Sequence, residues 1–89
     1  MAISVDELAQ TVIRILETRF EGAKADITPM PNSGRVSGEI VWDGFEGIEP
    51  IDRQKMVRTE LNSMLGILAT YVSLILTFTS QEIEEILAA

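Results

Sequence analysis

The chain has 89 residues, a formal net charge of −7, and neither cysteine nor histidine. Its length is that of one small domain with a modest core, and its hydrophobic share of 46% is typical of a globular protein. Without Cys or His there is no disulfide, no usual zinc, haem or iron–sulfur ligand, and no Cys–His or Ser–His catalytic pair. Carboxylates remain available for acid–base chemistry or for binding a hard metal ion, but no two acidic residues lie on an otherwise apolar surface. We therefore expect residues 1–89 to form a single non-enzymatic domain with no metal or cofactor of its own.

The acidic charge opposes non-specific binding to nucleic acid, which depends on Lys and Arg. Three of the seven basic residues, Arg53, Lys55 and Arg58, nevertheless lie close together in the sequence. Positions 61–81 carry no charge, but their many polar side chains and the lack of basic flanks argue against a membrane span. The N-terminal residues lack the basic segment of a secretory signal, so we expect a cytoplasmic protein without membrane contact.

A capping box predicts where the first helix begins. Ser4 and Glu7 have the spacing at which each side chain accepts a hydrogen bond from the backbone N–H of the other. Apolar residues then recur at helical spacing, and Gly22 is a typical residue just after a helix end. The pattern predicts a helix from Val5 to Glu21.

Two segments with alternating apolar and polar residues follow. The first, Ala23–Thr28, leads into a stretch of Pro, Asn, Ser and Gly that is typical of a turn. The second, Arg35–Trp42, places Val36, Ile40 and Trp42 on one face. Because the two segments are so close in sequence, we predict that they pair as an antiparallel hairpin.

A second helix and a third strand complete the predicted sheet. Pro50 suits the first turn of a helix, an apolar stripe that includes Ile51 and Met64 follows, and Gly66 ends it. The next segment, Leu68–Phe78, alternates as a strand does. A strand, a crossover helix and a strand form a βαβ unit, so the second and third strands are predicted to be parallel.

A second capping box, Thr79–Glu82, predicts a short last helix whose Ile83, Ile86 and Leu87 face inward. The predicted fold is therefore α+β, with the order α-β-β-α-β-α and a three-stranded mixed sheet packed against helices. The predicted core consists of Leu8, Val12, Leu16, Phe20, Ile27, Ile40, Val57, Leu61, Leu65, Val72, Leu74 and Leu76.

The segment between the second strand and the second helix resembles a motif of the BolA-like family. Phe45, Gly47 and Arg53 match the family's Phe-x-Gly and following Arg in type and spacing. Thr79–Glu82 is similar to the Thr-Pro-x-Glu that closes the family's last strand, with Ser80 in place of Pro. The resemblance covers most of the chain and implies a BolA-like fold, which is similar to the nucleic-acid-binding KH fold of the second type.

The chain departs from the family at its histidines. Gln54 stands where a His usually follows the Arg, and Tyr71 stands at the His position near the start of the third strand. BolA-like proteins pair with monothiol glutaredoxins and contribute a His ligand to a shared 2Fe–2S cluster. The resemblance therefore implies a protein-interaction or regulatory module that supplies no cluster ligand, with a monothiol glutaredoxin as one candidate partner.

The candidate partner surface comprises the loop after the second strand, the start of the second helix and the third strand. Its residues are Trp42, Phe45, Gly47, Arg53, Gln54, Lys55, Arg58 and Tyr71. An alternative function is nucleic-acid binding through Arg53, Lys55 and Arg58, although the sequence offers no Gly-x-x-Gly loop in the context of a KH domain.

Simpler structural roles are also expected for several of these residues. Phe45 is predicted to anchor its loop in the core. Arg53 opposes the dipole at a helix start, so it is expected either to form a salt bridge to Asp43 or Glu46 or to contact a partner, and we favour the structural role. The acidic residues of the last helix are expected to form a solvated face: Glu82, Glu84 and Glu85.

Overall fold

A computed structural model describes residues 3–89 and has the predicted order of helices and strands. The main elements are α1 (Val5–Arg19), β1 (Lys24–Pro29), β2 (Val36–Val41), α2 (Pro50–Leu65), β3 (Val72–Phe78) and α3 (Ser80–Ala88). Two short 3-10 segments, Asp43–Phe45 and Gly66–Tyr71, precede α2 and β3. No helix among the described residues combines the length and the apolar content needed to cross a bilayer.

The three strands form one mixed sheet in the order β1-β2-β3, as predicted. The hairpin strands β1 and β2 are antiparallel, with Lys24 opposite Val41, and β2 and β3 are parallel, with Val41 opposite Phe78. The chain reverses after β1 without a long loop, whereas the parallel pair needs the crossover through α2. Because β2 lies in the middle of the order, β3 is an edge strand.

Helix α1 forms because its start is capped and one of its faces is apolar. The Ser4 hydroxyl accepts a hydrogen bond from the Glu7 N–H at 3.1 Å, and the Glu7 carboxylate accepts one from the Ser4 N–H at 3.3 Å. The helix ends at Arg19, two residues before the predicted end, and Gly22 makes the turn into β1 with a positive φ of 89°. Its buried residues pack on the sheet and against α2: Leu8, Ala9, Val12, Ile15 and Leu16.

The third strand begins at Val72 and not at Leu68 as predicted, because residues Gly66–Tyr71 form a 3-10 segment. Its register then shifts, since Val36 lies opposite Val72 whereas Gly38 lies opposite Ile75. One extra residue in β3 therefore interrupts the strict alternation of side chains, as a β-bulge does.

The shifted register corrects two predicted core positions. Val72 and Ile75 are both buried, although a regular strand would place them on opposite faces. Leu74 and Leu76 are 60% and 45% exposed, so their assignment to the core was wrong. Their side chains lie on the face of the sheet opposite to the buried Ile75.

Apolar positions on α2 and α3 are also more exposed than predicted. Only Arg53, Val57 and Leu61 of α2 are buried, so its buried face is one narrow stripe that excludes Ile51 and Met64. Leu65 packs at the margin of the core. In α3 no residue is buried, and the expectation that its three large apolar residues face inward was wrong: Ile83 is half-buried, and Ile86 and Leu87 are exposed.

Candidate functional site

An aromatic cluster supports the segment between β2 and α2. The Phe45 side chain is fully buried, and the centroid of its ring lies 5.0 Å from that of Trp42 and 5.9 Å from that of Phe20. The half-buried Trp42 donates a hydrogen bond from its indole nitrogen to the Glu21 carbonyl at 2.9 Å. Phe45 is therefore the core anchor that the sequence predicts, and Trp42 belongs to the same packed cluster.

The chain turns tightly after Trp42. Gly44 lies against the Trp42 ring so closely that an added Cβ would overlap the indole. Gly47 has a positive φ of 78°, a conformation that other residues rarely adopt. The Ile48 N–H donates to the Phe45 carbonyl at 2.9 Å, which closes the turn and leaves the Ile48 carbonyl near the start of α2.

Arg53 is buried at the centre of this region, with 6% of its surface exposed. It donates from Nε to the Ile48 carbonyl at 2.8 Å and from Nη1 to the Glu82 carboxylate at 2.7 Å. The guanidinium carbon also lies 5.6 Å from the Phe45 ring centroid, within cation–π range. A salt bridge thus exists, but its partner is Glu82 and not Asp43 or Glu46 as predicted.

Glu82 and Asp43 both hold the start of α3. One Glu82 carboxylate oxygen accepts from the Thr79 N–H at 2.8 Å in addition to Arg53, and the Thr79 hydroxyl accepts from the Glu82 N–H at 3.2 Å. An Asp43 carboxylate oxygen accepts from the Ser80 N–H at 2.9 Å. Glu82 is therefore an ion-pair and capping residue, which corrects the interpretation of its side chain as simply solvated.

The same hydrogen bonds shift the pKa values of these two carboxyl groups. Donation by Arg53 is the largest cause that lowers the pKa of Glu82, followed by donation from the Thr79 backbone. Donation from the Ser80 backbone lowers the pKa of Asp43. A carboxyl group with a lowered pKa stabilises the folded state above its unfolded pKa, and this stabilisation is lost as the pH falls through the folded pKa.

We therefore expect the free energy of unfolding to fall as the pH decreases from about 6 to about 3, in part through Glu82. The Glu82→Gln variant, which does not titrate at this position, should show a shallower fall over that interval than the wild-type chain. Glu84→Gln is the matched control, because Glu84 makes no side-chain hydrogen bond or ion pair within residues 3–89. Urea unfolding at several pH values would measure the slopes, and identical slopes for the wild type and Glu82→Gln would contradict this role.

Side chains of α2 cover the outer edge of β3. Gln54 donates to the Ile75 carbonyl at 2.8 Å, and Arg53 reaches the Thr77 carbonyl at 3.4 Å. Arg58 donates to the Val72 carbonyl at 3.1 Å and also contacts the carbonyls of Ala69 and Ser73. Backbone acceptors that an edge strand would offer to another strand are therefore already occupied.

The predicted partner-binding residues consequently divide into two groups. The side chains of Trp42, Phe45, Arg53, Gln54 and Arg58 are engaged within the fold, and Gly47 shapes the turn. Lys55 and Tyr71 are exposed. Arg53, Lys55 and Arg58 therefore form no continuous basic surface, because Arg53 and Arg58 point their guanidinium groups at protein acceptors.

An apolar groove of about 620 Å³ lies beside these contacts, and we call it the β3–α3 groove. It lies between the start of α2, the end of β3 and one face of α3, and its lining includes Pro50, Gln54, Leu76, Phe78, Glu85 and Ile86. Leu76 and Ile86 were predicted to face the core, so the sequence did not reveal this surface.

Carboxylates are not arranged for metal binding in the part of the chain that the structure describes, where no group of three or more acidic residues is suitably placed. Comparison of the sequence with models of known protein families gave no match, and comparison with curated proteins gave none either. The fold and the contacts of named residues therefore carry the functional argument.

Proposed function

We propose that the chain is a non-enzymatic, BolA-like protein-interaction or regulatory module. The observation that supports this most directly is the 2.7 Å contact between Arg53 and Glu82. These residues belong to the two separate segments that resemble the family's motifs, and the same guanidinium also lies over Phe45. The residues that carry the resemblance therefore contact one another in three dimensions. Chance matches of single residues would have no reason to lie in contact.

A binding role is further supported by apolar side chains that the fold leaves uncovered. Leu74, Leu76, Ile86 and Leu87 are between 45% and 79% exposed, and all belong to β3 or α3. Contiguous exposed apolar residues on a small protein commonly mark an interaction site. This surface adjoins the start of α2 and includes part of β3, and both belong to the partner surface expected from the sequence.

A monothiol glutaredoxin is the candidate partner that the family resemblance suggests. Gln54 and Tyr71, at two positions where relatives would carry His, lie on α2 and just before β3. The Gln54 amide donates to the Ile75 carbonyl, whereas the Tyr71 ring is 47% exposed. In this proposal the chain contacts its partner through shape and apolar surface and contributes no ligand to a cluster.

The structure offers no comparable support for nucleic-acid binding. Such binding needs several Lys and Arg side chains that reach phosphate groups together. Of the three residues considered, Arg53 is buried and paired with Glu82, and Arg58 donates to backbone carbonyls. Lys55 is exposed, but it is the one residue of these three whose charged group is not engaged by another protein group among the described residues.

The proposed function is tested by identifying a partner and then measuring its binding to the purified chain. The immobilised chain is incubated with a cell extract, captured proteins are identified by mass spectrometry, and each is purified for isothermal titration calorimetry. A purified monothiol glutaredoxin is included directly. We expect saturable binding with a defined stoichiometry for at least one protein, and the absence of any such protein would contradict the proposal.

We also expect that adding the chain to a cluster-loaded monothiol glutaredoxin leaves the visible absorption spectrum of the cluster unchanged. The reason is that the chain contains neither Cys nor His to replace an existing ligand. A BolA-like protein with its histidines is the positive control for a spectral change. A new cluster spectrum that requires this chain would show that the chain supplies a ligand of another type.

A further inference from the structure

We propose that the β3–α3 groove binds an amphipathic helix of a partner protein, with the apolar face of that helix in the groove and basic residues at its margin. The inference builds on the proposed function and specifies the chemistry of the partner. It depends on three features of the structure: the shape of the exposed apolar surface, the occupied edge of β3, and the distribution of charge.

The apolar surface is an elongated patch. Leu76 and Phe78 line its sheet side, and Ile86 lines its helix side. Leu74, two residues before Leu76 on the same strand, extends it along β3. A helix presents apolar residues at spacings of three and four along one face, which suits a groove between a strand and a helix.

The occupied edge of β3 disfavours a partner that adds a strand. Strand addition requires the backbone carbonyls of the edge to accept hydrogen bonds from the incoming chain. The carbonyl of Thr77, which lines the groove, already accepts from Arg53, and that of Ile75, two residues earlier on the same strand, accepts from Gln54. A helix satisfies its own backbone groups, so it can bind here through side chains alone.

The charge at the groove favours a basic partner. Its two acidic side chains are Glu82 and Glu85, and its single basic side chain is the buried Arg53, which pairs with Glu82. Within residues 3–89, Glu85 has only the neutral Gln81 amide as a hydrogen-bond partner, at 3.3 Å, and no salt bridge, so no basic side chain there compensates its charge. A second copy of the chain would also carry −7, and repulsion between the two copies disfavours it as the occupant.

The way α3 is attached to the rest of the domain allows the groove to be altered by mutation. The helix is fixed at its first turn by Asp43, Arg53 and its capping box, while none of its residues is buried. Polar substitutions at its exposed positions therefore alter the groove without removing core packing. This permits a test with variants that keep the fold.

The probe is a synthetic amphipathic peptide of Leu and Lys, about 18 residues long so that it forms five helical turns. Its binding is followed by nuclear magnetic resonance of the isotopically labelled chain. We expect saturable shifts concentrated at the amides of Leu76, Phe78 and Ile86. A peptide of the same composition with a scrambled order, and an amphipathic peptide of Leu and Glu, should bind much more weakly.

Two pairs of matched variants test the groove itself. Ile86→Ser should weaken binding of the Leu–Lys peptide at least about fivefold, because it removes apolar surface at the contact. Ile67→Ser is the control, since Ile67 is 82% exposed in the 3-10 segment before β3 and should leave binding unchanged. Glu85→Lys should weaken binding about threefold in dilute salt, and the weakening should be smaller in concentrated salt. Glu84→Lys is its control, because it makes the same change in net charge outside the groove and should weaken binding less.

Several results would overturn the inference: equal binding of the scrambled peptide, no binding of the Leu–Lys peptide, or equal binding to wild-type and Ile86→Ser chains. Analytical ultracentrifugation supplies another, because a wild-type dimer that Ile86→Ser converts to a monomer would assign the groove to a second copy. A purified partner that binds the Ile86→Ser chain as tightly as the wild-type chain would overturn the inference that the groove is the binding site, but it would support the proposed function. If no partner is found, the proposed function fails. The peptide titration would then still test whether the groove binds an amphipathic helix.

Discussion

Arg53→Ala is expected to lower the free energy of unfolding by about 2–3 kcal/mol, within the range for losing hydrogen bonds to a charged group. The substitution removes the donor to the Ile48 carbonyl, the ion pair with Glu82 and the cation over Phe45. The Glu82 side chain is 41% exposed, so water can replace the guanidinium there. For that reason we expect less than the roughly 3–5 kcal/mol that follows from breaking a fully buried ion pair.

Urea unfolding followed by circular dichroism would measure this loss. Arg53→Lys should give an intermediate value, because it keeps the charge but loses the planar fork of donors that serves two acceptors at once. Arg14→Ala is the control, since Arg14 is exposed and should change stability by no more than about 0.5 kcal/mol. If Arg53→Ala also remained within that limit while abolishing partner binding, Arg53 would be an interaction residue and not a structural one.

Arg53 illustrates how far the sequence leads at the candidate site. A positive charge near a helix start is unfavourable against the helix dipole, so the need for a compensating contact can be inferred from position alone. The identity of the contact cannot be inferred in this way, because Glu82 is distant in sequence and lies next to Arg53 through the pairing of β3 with β2. Local reasoning favoured the nearest carboxylates, Asp43 and Glu46. Asp43 instead holds the start of α3 through Ser80.

The order of elements and the mixed sheet were predictable because they depend on local signals. Capping residues, a proline in the first helical turn and glycines that permit positive φ act within a few residues, and the βαβ connection restricts strand direction. Which side chains of β3 face the core could not be predicted in this way. It depends on one extra residue between Val72 and Ile75, which is set by pairing with β2.

The groove escaped prediction for a related reason. Alternation along β3 identifies two faces but does not reveal which face the helices cover, and the bulge exchanges the two faces partway along the strand. An amphipathic pattern in α3 likewise indicates that one face is apolar without indicating what covers it. Here nothing among the described residues buries Ile86 or Leu87. Leu74, Leu76 and Ile86, which were predicted to face the core, are therefore part of the proposed interaction surface, whereas Ile51 and Met64 on α2 lie outside it.

Phe45→Ala is expected to have the largest effect on stability, a loss of about 3–5 kcal/mol, as is usual when a buried aromatic ring is removed from a core. The ring is fully buried, contacts both Phe20 and Trp42, and supports the Arg53 guanidinium. A small domain has a total stability of roughly 5–10 kcal/mol, so the variant should be close to unfolding at physiological temperature. Phe45→Leu retains much of the volume and should lose less.

Fluorescence provides a local readout of this change, because Trp42 is the chain's only tryptophan and its ring centroid lies 5.0 Å from that of Phe45. We expect a red shift in emission for Phe45→Ala at temperatures where the wild type keeps its native spectrum, since loss of the ring exposes the indole to water. Phe78→Ala is the control, because Phe78 is half-buried at the end of β3 and outside the aromatic cluster, so it should cost less stability and leave the emission unchanged. If Phe45→Ala melted like the wild type with unaltered emission, Phe45 would not be the anchor of this loop, and the resemblance in Phe45, Gly47 and Arg53 would lose its physical basis.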